Sequence, residues 1–127
     1  MTDAEFMQLI DAGIAVLPES VRDRMHNIAV VLADAPSEQQ RRELALEAND
    51  IIFGLYEGVP QTERGVLEEV MLPDKITIFK NSILAVYAGP TEIATCVANT
   101  VWHEVAHHFG MDEATIRSEE IKRKKRL

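Results

Sequence analysis

The chain has 127 residues, 46% of them apolar and 27% charged, a composition that fits one ordinary globular domain and excludes disorder as a global state. Its 13 basic and 21 acidic side chains give a net charge of -8. Five of the bases (Lys122, Arg123, Lys124, Lys125 and Arg126) crowd the last six positions, so residues 1–121 hold 8 bases against 21 acids. So acidic a body repels phosphate backbones and excludes nucleic acid as the main partner, and the basic tail reads as a solvated helix end. The single cysteine, Cys96, can form no internal disulfide. The first thirty residues lack the basic-then-apolar layout of a signal peptide, and no apolar run approaches the roughly 18–20 residues of a membrane span. The expectation is one cytoplasmic, soluble domain over residues 1–127, with no membrane partner.

In chain order, Thr2 and Glu5 form a capping box, and Phe6, Leu9, Ile10, Ile14 and Leu17 come after it at helical spacing. They predict a first helix over about 3–17, stopped near Pro18, with a short helical piece over 19–25. Residues 27–34 read NIAVVLAD and predict a strand buried on both faces or nearly so. Ser37 can cap a polar helix over 38–49. Residues 50–75, punctuated by Gly54, Gly58, Pro60, Gly65 and Pro73, read as irregular. A second strand is expected around 76–79, turning at Asn81-Ser82 into a third over 83–87. Thr91 is placed as the N-cap of the longest helix, which runs to Phe109 and ends at Gly110; a last helix covers about 113–124. This order predicts an α+β domain with a small sheet.

The long helix carries the chemistry. Residues 103–107 read His-Glu-Val-Ala-His. His103 and His107, four apart, project from one helix face a turn apart, about 40° around the axis. Two imidazole nitrogens so placed can meet one Zn²⁺ at about 2.0–2.1 Å. Glu104 lies about 100° round from His103, poorly placed to ligate beside it. It is suited instead to act as general base toward a water whose pKa the metal lowers to about 7. A chance H-E-x-x-H in such a chain has odds of about one per cent, so the residues just beyond the second His carry weight. Here the motif extends to H-E-x-x-H-x-x-G-x-x-E. Gly110 lets the helix stop and the chain turn back, and a carboxylate three residues on can swing round as a third ligand. The acids there are Asp112 and Glu113 in succession. Spacing favours Glu113, with Asp112 the alternative.

These residues resemble the metzincin-type zincins, whose motif ends in His or Asp at the position of Glu113. The similarity is closer still to a small bacterial group of minimal, single-domain, zincin-like metallopeptidases. Four stretches carry it: residues 27–31 (NIAVV), residues 54–60 (GLYEGVP) with Arg64, residues 73–79 (PDKITIF) and residues 103–110 (HEVAHHFG). The resemblance implies a compact zincin-like fold, a small mixed sheet packed on helices with the motif on a long central helix. It also implies zinc-dependent peptidase activity, with His103, His107 and an acid near 113 as ligands. The sequence departs from the pattern in having Glu at 113. No Met stands after Glu113 to form the Met-containing turn beneath the zinc of metzincins.

Other residues have plainer readings. Cys96 lies about 10 Å back along the helix from His103, too far to ligate, and reads as core, as does Trp102. His108 points aside from the pair. Tyr56 and Arg64 either serve a substrate or hold their own loop through an Arg64 pairing with Glu57 or Glu63. Tyr56 and Tyr87 are the only phenols that can stabilise an oxyanion. The expected function is hydrolysis of peptide or protein substrates with Zn²⁺ and Glu104 as base, the strand at 76–80 serving as the sheet edge on which an extended peptide pairs. The alternative is a metal-binding interaction module, or a pseudo-enzyme with little turnover.

Overall fold

The computed structural model describes residues 1–58 and 73–109. In order these form α1 (Asp3–Ala15), α2 (Glu19–Asp23), β1 (Ile28–Ala33), α3 (Glu38–Glu43), β2 (Gly54–Glu57), β3 (Asp74–Phe79), α4 (Lys80–Val86) and α5 (Pro90–His108). The architecture is α+β, as the sequence predicted. The three strands make one mixed sheet in the order β1-β3-β2. β1 runs parallel to β3, with Ile28 opposite Asp74 and Ala33 opposite Phe79. β2 runs antiparallel to β3, with Gly54 opposite Ile78 and Tyr56 opposite Ile76.

One sheet face and the helices share the core. Ile76 and Ile78 are fully buried and cluster with Phe6 and Ile10 of α1, Val21 of α2, Ile83 of α4, and Ile93, Val97, Val101 and Val105 of α5. The buried positions of α5 recur at three- and four-residue steps, which turns one stripe inward along its whole length. Cys96 and Trp102 belong to this core, as expected. The indole N–H of Trp102 has no hydrogen-bond partner among the described residues, so its packing outweighs that polar penalty. Gly13 of α1 presses on the backbone of α5: a Cβ there would stand 3.1 Å from the Ala94 carbonyl oxygen.

Several sequence expectations are corrected. Residues 83–87 are not a third strand, because Lys80–Val86 is helical. A short apolar run fits either form, and β3 already has a neighbour on each side, so a hairpin partner has no edge to pair with. The third strand is instead Gly54–Glu57, inside the stretch expected to be irregular. For the same reason the strand at 76–80 is not an edge, since β3 is central. β1 is half-buried rather than buried on both faces, with Val31 exposed, because it borders the sheet. Thr91 is not a cap. Gly89 occupies the N-cap and Pro90 the first helical position, where its missing N–H costs nothing and its fixed φ suits a helix.

α3 stops at Glu43 instead of reaching 49. Its end is a Schellman motif, in which Leu46 N–H donates to the Arg41 carbonyl and Ala45 N–H to that of Arg42. The motif puts Ala45 at φ 53°, in the left-handed region where glycine is favoured. Gly110, Arg64 and the helix expected over 113–124 lie outside the described residues.

The close seating of β2 on α5 uses Gly54. A Cβ there would fall 2.6 Å from Thr100 Cγ2 and 3.1 Å from the Thr77 carbonyl oxygen. Gly54→Ala should therefore destabilise the fold by about 1–3 kcal/mol in chemical denaturation, as overpacking does. Adding Thr100→Ser should recover part of that loss, because it removes the clashing methyl and keeps the hydroxyl bonded to Cys96 O at 2.7 Å. Conversely, Ala45→Gly should raise the denaturation midpoint, by about 0.5–1 kcal/mol of stability, by relieving the left-handed backbone.

Candidate metal centre

The site lies where the last turns of α5 run beside β2. His103 and His107 are exposed and Glu104 is half-buried, as expected for residues on the rim of the helix's apolar stripe. The two imidazole rings face each other, 12° from parallel, with centroids 6.0 Å apart. Two imidazoles sharing a tetrahedral zinc at 2.0–2.1 Å need centroids about 5 Å apart, so side-chain rotation of about an ångström brings both nitrogens into range. Nitrogen donors on one exposed face with a carboxylate beside them suit zinc in chemistry as well as spacing. Among the described residues no third His, Cys, Asp or Glu closes a three-donor cluster with the pair. Both acids expected to supply one, Glu113 and Asp112, lie outside the described residues.

Glu104 points toward the sheet. The Tyr56 main-chain N–H donates to its Oε2 at 3.2 Å. Burial pushes the proton affinity of the Glu104 carboxyl up, and the Tyr56 N–H and then the His107 and His103 imidazoles pull it back down. Burial is the larger effect, so the net shift is upward, toward the protonated form.

Beside Glu104 stands a polar group that the sequence did not assemble. The Tyr56 hydroxyl donates to Asp74 Oδ2 at 2.7 Å. The Tyr56 ring stacks on His108 with centroids 3.9 Å apart and planes 16° from parallel. His108 Nε2 lies 3.9 Å from the same Asp74 oxygen. His108 thus flanks the pair, as expected, and Asp74 is the residue missed. No local signal marks it, because its partner Tyr56 lies 18 residues away on a strand flanked by glycines. The oxyanion question also narrows. The Tyr56 proton is committed to Asp74, and Tyr87 packs against Phe53 with ring centroids 6.1 Å apart. Glu57, one of the two partners foreseen for Arg64, accepts from Gln40 at 2.9 Å and faces Lys75 at 3.8 Å; the pairing with Arg64 lies outside the described residues.

A small mixed sheet with the H-E-x-x-H helix laid along its antiparallel strand is the compact α+β arrangement that the sequence resemblance implied. The model of the zincin-like metallopeptidase family matches residues 25–123, and the chain belongs to that family. A search of curated proteins found none that matches. No helix among the described residues is long and apolar enough to cross a membrane.

The His pair generates a direct expectation. Calorimetric titration with Zn²⁺ should show about one site, lost in His103→Ala and in His107→Ala, since either change removes a nitrogen donor. Glu113→Ala should weaken binding much more than Asp112→Ala; the reverse ranking would assign the third ligand to Asp112.

Proposed function

We propose that the protein is a zinc-dependent peptidase that hydrolyses peptide bonds in peptide or protein substrates. The observation that carries this reading is the placement of Glu104. It stands on the same helix as two exposed imidazoles at ligand spacing, half-buried, and held at one oxygen by the Tyr56 N–H. Membership of the zincin-like metallopeptidase family supports it.

Zinc, when bound, supplies Lewis acidity that polarises a carbonyl and acidifies water. His103 and His107 are the residues that would hold it, with Glu113 or Asp112 as the further ligand. Glu104 accepts the proton of the attacking water and returns it to the departing amine. That return requires a carboxyl not too acidic to be protonated, and burial moves Glu104 in that direction. The Tyr56 N–H leaves the other carboxylate oxygen to take the proton. An extended substrate aligns on the β2 side of the sheet, beside the helix that carries the His pair, rather than on the central β3. The whole chain acts as one domain over residues 1–127, in the cytoplasm.

The test is Glu104→Gln. The amide keeps the shape and cannot take the proton, so turnover of peptide substrates should fall by about 10²–10⁴-fold with zinc affinity nearly unchanged. Stoichiometric zinc binding without any peptide turnover in the parent protein would instead make the chain a metal-binding module.

A further inference from the structure

Tyr56 meets Glu104 through its main chain and is gripped elsewhere through its side chain. In the antiparallel pairing of β2 with β3, Phe79 N–H donates to the Phe53 carbonyl, so the bonded positions of this strand fall at 53, 55 and 57. Residue 56 lies between them, opposite Ile76, and its N–H turns away from β3. The ladder fixes that direction, because the bonded Leu55 carbonyl lies in the same trans peptide plane, but it does not fix how far the N–H stands from α5. The side chain ties strand to helix across that distance, because its hydroxyl and its ring are held by different elements. The hydroxyl donates to Asp74 at the start of β3, and the ring lies flat on His108 at the end of α5. Gly58 keeps the neighbouring space narrow but clear: a Cβ there would sit 3.7 Å from Asp74 Oδ1 and 3.8 Å from His108 Cε1.

We infer that Tyr56 is a positioning residue for Glu104: Asp74 and His108 clamp its side chain, and the clamp sets how closely its N–H stands against the Glu104 carboxylate. The inference rests on the reading of Glu104 as the base. The clamp joins β2, β3 and the helix carrying the His pair at one side chain, so a small tilt of β2 moves the donor that holds Glu104. Displacing a reacting group by about an ångström can cost about a hundredfold in rate, so even partial release should be visible in turnover.

The test uses the full chain, zinc-loaded and uniformly ¹⁵N-labelled, as the parent, Tyr56→Phe and His108→Leu. Tyr56→Phe removes the hydroxyl bond and keeps a ring to stack; His108→Leu removes the stack and keeps the hydroxyl bond. In each variant kcat should fall about tenfold, with KM and zinc affinity within about twofold of the parent. The residue 56 amide should exchange with solvent about tenfold faster, while amides 55 and 57, facing β3, keep parental rates. Glu104→Ala should likewise speed amide 56 alone. Unchanged kcat and unchanged exchange at 56 overturn the inference. So does acceleration of 55, 56 and 57 together with a lowered melting temperature, because that marks general loosening of the strand. A parent protein without turnover overturns the proposed function instead, and the relative exchange at 55, 56 and 57 still decides whether the clamp holds the N–H on Glu104.

Discussion

The contact between Gly54 and Thr100 sets the distance on which the rest of the site depends. With no side chain at 54, β2 approaches α5 until a Cβ would touch the Thr100 methyl at 2.6 Å. From that point strand and helix advance together. Two residues along the strand cover about 6.8 Å, and four along the helix cover about 6.0 Å. Tyr56 therefore arrives beside Glu104, and Gly58 beside His108. Each strand residue turned toward the helix meets a helix residue one turn further on. The hydrogen bond to Glu104 and the stack on His108 are both consequences of this register.

The register also explains how one helix carries two opposed environments. His103 and His107 lie off the sheet side and stay exposed, which keeps their nitrogens available to a metal. Glu104, about 100° round from His103, faces the strand and loses water. Burial alone would favour its protonated form, and an isolated buried carboxylate is costly. The Tyr56 N–H and the imidazoles offset that cost, so burial and partner hold opposite sides of one balance. A strand seated further away would leave Glu104 more hydrated and without its donor. Backbone packing thus reaches the Glu104 carboxylate through one main-chain amide.

What the sequence discloses and what it hides divide along physical lines. The His pair, Glu104, the capping box at Thr2 and the buried Trp102 and Cys96 are legible, because each depends on spacing within one helix. β2 is hidden, since glycines at 54 and 58 read as loop punctuation when their purpose is close approach to a helix distant in sequence. α4 reads as a strand because ILAV fits both forms, and only the filled edges of β3 decide between them. The left-handed Ala45 ends α3 with a residue that gives no stop signal. Asp74 reads only as the start of a strand. Its bond to Tyr56 spans 18 positions of sequence and needs the antiparallel register to form. Local periodicity reveals the groups on the motif helix, and pairing between strands reveals what holds them.

The match of strand to helix has a built-in limit. Each pairing step leaves the strand about 0.8 Å ahead of the helix, so a register that is close at Gly54 has drifted by about 1.6 Å at Gly58. A longer strand would soon set its side chains against the wrong helix positions. Here β2 ends at Glu57, and α5 ends at His108, level with the last matched residue. At the far end of the helix, His108 meets the ring of Tyr56 as a flat stack, which tolerates sliding in the plane. Where the drift is still small, the contact is the N–H to carboxylate bond, which does not tolerate it. Both contacts belong to Tyr56: the demanding one is made by its main chain level with Glu104, and the forgiving one by its ring a turn further along the helix. Together they let a four-residue strand hold the helix's carboxylate.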